Sequence, residues 1–210
     1  MANSEMTRSL TFTTVSTPTE VSEILELQAA NLPPALSPET MAREGFVTVR
    51  HDPYVLQRMN EEAPAIVAKA VGRVIAYALV MPRGYAAEVP ILRPLFERLE
   101  TLSWKGTPLR DNPRWFVMGQ ICVAQGYRGK GIFDGLYQTM ARYYTDRFDF
   151  TVTDVATRNA RSLRAHARVG FDALEVFTDP ESGEEWNIIA LDFAECLARE
   201  RSDARATRSR

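Results

Sequence analysis

The chain has 210 residues, 45% hydrophobic and 25% charged, which is the composition of a globular protein able to bury a sizeable core. A formal net charge of −2 argues against a broad cationic footprint for nucleic acid. Cys122 and Cys196 make no disulfide framework, and with only His51 and His166 as histidines, no C-x-x-C and no H-E-x-x-H, no metal site is expected.

The first residues, MANSEMTRSL, contain no apolar h-region, so 1–9 is read as a flexible end and not as a secretory signal; a cytoplasmic location is the default. Residues 8–16 alternate as a first strand. In TPTEVSEILELQAANLPP, Thr17 is an N-cap, Pro18 occupies the first helical position and Glu20 completes a capping box, so a helix follows. SPETMAREG repeats the pattern with Ser37, Pro38 and a terminal Gly45. FVTV at 46–49 reads as a brief strand, and DPYVLQRMN as a helix opened by Asp52 and Pro53.

Residues 65–82 predict a hairpin turning near Gly72, whose second arm is apolar throughout and therefore buried on both faces of a sheet. Lys69, Gly72 and Arg73 interrupt this region, which argues against a membrane span. The connection from Pro82 to Trp115 is long. Within it Ile91, Leu92, Leu95, Phe96, Leu99 and Leu102 mark one face of a helix.

WFVMGQICV (115–123) is the next strand, followed by a turn with Gly126, Gly129 and Gly131 and then a strongly periodic helix from Ile132 to Phe148. FDFTVTDV (148–155) is a strand, RNARSLRAHARVGF a short helix capped by Asn159 and ended by Gly170, and DALEVFT and EWNIIALDF close the fold. Residues 10–194 are read as one α/β domain, and the arginine-rich 195–210 as a disordered tail.

A glycine turn between a strand and a helix N-terminus suits an anion, because the first helical N–H groups have no partner and the macrodipole is positive there. Arg128 and Lys130 add charge. The letters do not make a P-loop: with Gly129-Lys130 as its G-K pair, the first glycine would be Ala124 and the final Ser/Thr would be Gly131. Nor do they make G-x-G-x-x-G, since from Gly129 the third glycine would be Asp134.

What the run Arg128, Gly129, Lys130, Gly131, Ile132 does resemble is the [QR]-x-x-G-x-[GA] pyrophosphate loop of the GNAT superfamily of acyl-CoA-dependent N-acyltransferases, with Phe133 where Gly or Ala is usual. The stretch from Asp154 to Phe171 resembles that family's second signature: Asn159, Ser162, Gly170 and Phe171 match, and His166 stands where Tyr is common. The resemblance implies a mixed, mostly antiparallel central sheet with two splayed parallel strands and helices on both faces. It also implies acetyl-CoA as co-substrate, its pantetheine along Ile121, Cys122 and Val123 and beside Asn159 and Ser162, and its pyrophosphate on the N–H groups of 128–133, with the Phe133 ring turned into the core.

The implied reaction is direct attack of a primary amine, of a small molecule or peptide, on the acetyl carbonyl. His166 is then the candidate general acid and Asp154 the candidate base, with Glu88 and His51 behind it. Gln120 is placed toward the acceptor, but an amide cannot take a proton. Residues 83–114 are expected to form part of the acceptor wall, with nearly balanced charges that select no substrate sign. The alternative reading is a non-catalytic acyl-CoA-sensing module of the same fold. Neither nucleic acid nor membrane is an expected partner, and a homodimer is left open.

Overall fold

The structure is a computed structural model that describes residues 10–208, so the flexible end expected over 1–9 lies outside it. Seven strands make one sheet in the order β1-β2-β3-β6-β7-β9-β8. They are β1 (Thr11–Thr14), β2 (Ile66–Ala70), β3 (Arg73–Met81), β6 (Trp115–Val123), β7 (Phe150–Ala156), β8 (Asp172–Thr178) and β9 (Glu185–Asp192). Only β6 and β7 run parallel; every other neighbouring pair is antiparallel. A small ribbon, β4 (Ser103–Trp104) with β5 (Thr107–Pro108), stands apart.

Local chemistry explains the helices. The helix α1 (Pro18–Ala29) opens on the expected capping box: Glu20 N donates to Thr17 Oγ1 at 3.3 Å, and Thr17 N donates to the Glu20 carboxylate at 3.2 Å. Glu20 also pairs with Lys69 on β2, which ties the helix start to the sheet. Proline opens α2 (Pro38–Glu44) and α3 (Pro53–Glu62) in the same manner, with Ser37 and Asp52 as side-chain caps. The β2–β3 hairpin turns through Val71 and Gly72, both at positive φ (50° and 78°), the backbone demanded by a two-residue primed turn.

The helix α5 (Ile132–Tyr144) lays Leu136, Tyr137, Met140 and Tyr144 on one face of the sheet beside α7 (Phe193–Arg208). The opposite face is covered by α1 and α3 over β2 and β3, and by residues 83–111 over β6, β7 and β9. Between β7 and β8 runs α6 (Ala160–Val169). Among the described residues, no helix is long and apolar enough to cross a membrane, and no group of three metal-ligating side chains converges.

Three expectations change. Residues 46–49 form no strand: Gly45 at φ 75° turns the chain away from α2, and the segment crosses over the sheet with its backbone satisfied from elsewhere. Residues expected as a disordered tail are helical to Arg208, because Phe193, Cys196 and Leu197 recur at helical spacing and pack on the α5 side of the core. In the long connection the helix α4 (Arg93–Leu99) starts later than the apolar pattern suggests, leaving Ile91 63% exposed. Tyr85, Val89, Leu92, Leu95, Leu99, Trp104 and Leu109 are all buried there. Most of the connection is therefore core, and only Leu92 reaches the cleft described next.

Candidate active site

The strands β6 and β7 pair only from Trp115/Phe150 to Val117/Val152. Beyond those residues both continue, but they splay, so 118–123 and 153–156 face each other across a gap with their inward main-chain groups unpaired. On the β3 side the register slips between Ala78 and Val80, placing a bulge at Gly119-Gln120 of β6. A bulge leaves a residue outside the ladder and re-aims its backbone.

Two cavities meet at this gap. The larger, about 480 Å³, is bounded by the glycine loop, the start of α5, one flank of α6 and the 46–47 segment. The smaller, about 60 Å³, lies between 46–49, β6, β7, Leu92 and Trp186. They share Phe46, Val47, Ile121, Asn159 and Ser162. A molecule in one can thus touch a molecule in the other through the sheet.

Every cofactor-binding residue named from the sequence lines the larger cavity except Lys130, which is exposed with its ammonium over the Tyr127 ring at 5.6 Å. Gly129 (φ 73°) and Gly131 (φ 74°) are left-handed, which explains glycine at both. Gly131 is the N-cap of α5, and no side chain among the described residues caps this end. The first intrahelical bond is Gly135 N to Gly131 O at 3.0 Å, so the N–H groups of Ile132, Phe133 and Asp134 have no intrahelical acceptor. An anion fits that opening. The Phe133 ring packs edge-on to Tyr137 and His166, turned inward as expected.

The Arg128 side chain does something else. Its guanidinium points into the protein, donating to Val123 O (2.8 Å), Glu44 O (3.1 Å), Glu44 Oε2 (3.2 Å) and Asn31 Oδ1 (2.6 Å). That bond holds the Glu44 carboxyl below the ordinary carboxylate value. Arg128 is a strut between the glycine loop, α1 and α2, and its charge is not offered to a ligand. Removing it in Arg128→Met takes the donor from three carbonyl-type acceptors and leaves the Glu44 carboxylate to Arg43 (3.0 Å) and Arg161 (3.8 Å), so urea unfolding should show a loss of about 2–4 kcal/mol. Unchanged stability would contradict the strut. Arg164 and Arg168, both absent from the sequence reading, are exposed cations that line the cavity, and Arg168 is paired with Asp134 at 2.6 Å.

Asn159 holds backbone: its Oδ1 accepts from Ser162 N (3.3 Å), capping α6, and its Nδ2 donates to Phe46 O (3.1 Å). His166 is 1% exposed. Its Nδ1 meets Ser162 O at 2.8 Å and its Nε2 meets the Tyr137 hydroxyl at 2.8 Å. Burial pulls the imidazole down to about 4, so it is neutral, with Nδ1–H donating and Nε2 accepting. Both nitrogens are spent on structure, and the expected general-acid role does not fit this geometry.

Asp154 lies two residues past the last β6–β7 pair and lines the smaller cavity. Among the described residues no cation pairs with it, and burial pushes its carboxyl up to about 7. The other base candidates fall away. Glu88 is bound to Arg58 at 2.6 Å on the surface. His51 is buried against Gln28 and pulled down to about 4 by desolvation. Gln120 accepts from Gln28 (2.7 Å) and Tyr77 (2.5 Å) and donates to Val49 O (2.8 Å), so its amide pins the crossing segment instead of facing an acceptor. Burial raises the Cys122 thiol to about 12, which leaves no thiolate for a covalent relay.

The acetyltransferase (GNAT) family model matches residues 23–171. Three solved structures share the fold. The yncA structure of Salmonella typhimurium, with its cofactor acetyl-CoA, is 14% identical (TM-score 0.56; 88% of this chain and 94% of that one). The ribosomal-protein-S18-alanine N-acetyltransferase of Escherichia coli is 13% identical (TM-score 0.52; 88% and 94%). A spermidine N-acetyltransferase chimera from Vibrio cholerae and hSSAT is 12% identical (TM-score 0.55; 90% and 98%). No curated protein matches the chain in sequence.

Proposed function

Since this chain belongs to the acetyltransferase (GNAT) family, we propose that it transfers an acetyl group from acetyl-CoA to a primary amine of a small molecule or peptide, with Asp154 as the general base. The observation that carries the reading is the unpaired Asp154 carboxyl, near 7, on the wall of the smaller cavity that adjoins the cofactor-side one. That position also favours an enzyme over an acyl-CoA sensor, which has no use for such a base.

The residues fit acetyl-CoA as co-substrate. The uncapped start of α5 and the left-handed glycines take the pyrophosphate. The open edge of β6 offers the pantetheine amides the spacing of a missing strand. When bound, acetyl-CoA supplies an activated thioester.

Asp154 removes one proton from the incoming ammonium and passes it to solvent. The freed amine forms the N–C bond as the C–S bond breaks, and its second proton goes to the departing sulfur, leaving amide and free thiol. A thiol pKa of about 8.5 makes the thiolate a competent leaving group without a dedicated acid, consistent with the engaged His166. Main-chain N–H groups past Val117, freed from pairing by the splay and the bulge, are the donors for the carbonyl oxygen as it gains charge.

The test is release of thiol from acetyl-CoA with and without an amine panel. Amine-dependent release with an acetylated product of matching mass is expected. Tight CoA binding with no amine-dependent release would overturn the reading in favour of the sensor.

A further inference from the structure

Resting on that reading, we infer that the acceptor is a primary amine on an uncharged, apolar body, an aliphatic or arylalkyl amine, and not an amino acid, an anionic metabolite or a polyamine. The argument comes from what faces the smaller cavity, element by element. The 46–49 segment contributes Phe46, Val47, Thr48 and Val49, none of them ionisable. The β6 wall contributes Met118, Gly119, Ile121 and a Gln120 amide already bonded to Gln28, Tyr77 and Val49. Leu92 and Trp186 close the far side.

Of the ionisable side chains on the wall, α6 gives only His166, held neutral with both nitrogens bonded, and β7 gives only Asp154. Arg158, a cation beside the segment, covers the Phe46 ring at 4.5 Å and is held by Glu184 at 2.8 Å, so its charge is matched outside.

One carboxyl and no cation sets the sign of what can enter. An ammonium finds its counter-charge in Asp154. A carboxylate carried beside the amine would sit next to that same acid in a half-enclosed wall with no cation to pair with it, which costs several kcal/mol in such surroundings. A second ammonium faces the same penalty, since Asp154 can match only one. Besides uncharged polar groups such as Thr153 and Ser162, the wall presents Leu92, Met118, Val155 and Trp186, which reward apolar surface at about 25 cal/mol per Å². The volume, about 60 Å³, admits a chain or the edge of a ring and not a folded peptide.

The experiment compares kcat/KM at pH 8 for phenethylamine and hexylamine with that for phenylalanine, which is phenethylamine plus a carboxylate, and for spermidine. At least a tenfold preference for the two uncharged-body amines is expected. Equal or better turnover of phenylalanine or spermidine overturns the inference while leaving the acetyltransferase intact; silence toward every amine despite CoA binding sinks the parent reading. A second variant tests the charge argument directly. Thr48→Arg, which places a cation on the half-buried wall, should shift the phenylalanine to phenethylamine ratio at least tenfold toward phenylalanine. An unmoved ratio with activity retained also overturns it.

Discussion

Asp154→Asn is expected to lower kcat/KM for an amine acceptor by about 10²- to 10⁴-fold, the range that a positioned general base supplies, and to make the protein more stable above neutral pH. The two effects share one cause. The Asp154 carboxyl holds its proton to about 7 in the folded chain, against an ordinary value of 3.8. The unfolded chain therefore releases that proton near pH 4 and the folded chain only near 7. Across this window the folded state binds more protons, so stability falls as pH rises, and the deficit persists above 7 at on the order of 4 kcal/mol. Asparagine fills the space without that penalty. Its unfolding midpoint should be higher than wild type at pH 8 and should converge with it below pH 4. The acidic limb of the kcat/KM profile near pH 7 should vanish as well. A variant that gains stability and keeps full activity would show that Asp154 is only a poorly placed carboxyl.

The second large effect concerns the cofactor loop. Gly131→Asp and Gly131→Asn differ by one charge and almost nothing else, and both residues tolerate the left-handed backbone found there better than other side chains do. A Cβ at Gly131 meets nothing within 4 Å, so neither variant crowds the protein. The carboxylate would lie at the uncapped end of α5, where it competes for the N–H groups offered to the pyrophosphate and repels its charge. Calorimetric titration should find CoA binding at least tenfold weaker for Gly131→Asp than for Gly131→Asn, with similar thermal unfolding. Equal affinities would move the pyrophosphate away from this helix.

Most helices, strands and the glycine turn were legible along the chain, because their signals are local. A cap, a proline and a glutamate at fixed offsets start α1 whatever surrounds it, and Gly131 is left-handed for reasons set by its own backbone. What was not legible depends on distant partners. The FVTV segment alternates like a strand, yet its backbone is met singly by Asn31, Asn159 and Gln120. The Arg128 charge reads as a phosphate ligand until Glu44 and Asn31 arrive from the first quarter of the chain. His166 and Asp154 are each one titratable letter near a motif, and burial shifts both; only the bonds to Ser162 and Tyr137 separate the satisfied imidazole from the unpaired acid. The tail shows the opposite error, where five arginines hid an apolar spacing of Phe193, Cys196 and Leu197 that was in plain letters.

The Arg128 strut has a thermodynamic corollary for recognition. Its four bonds fix the glycine loop against α1 and α2 on folding, before any nucleotide arrives. Immobilising such a loop at the moment of capture would cost about 0.5–1.5 kcal/mol for each long side chain, on top of its backbone entropy. Here that ordering is charged to the folding equilibrium, so the affinity for CoA and the stability of the chain draw on the same guanidinium. Selection for a looser, faster-releasing cofactor site could therefore act through Arg128 only by weakening the protein itself.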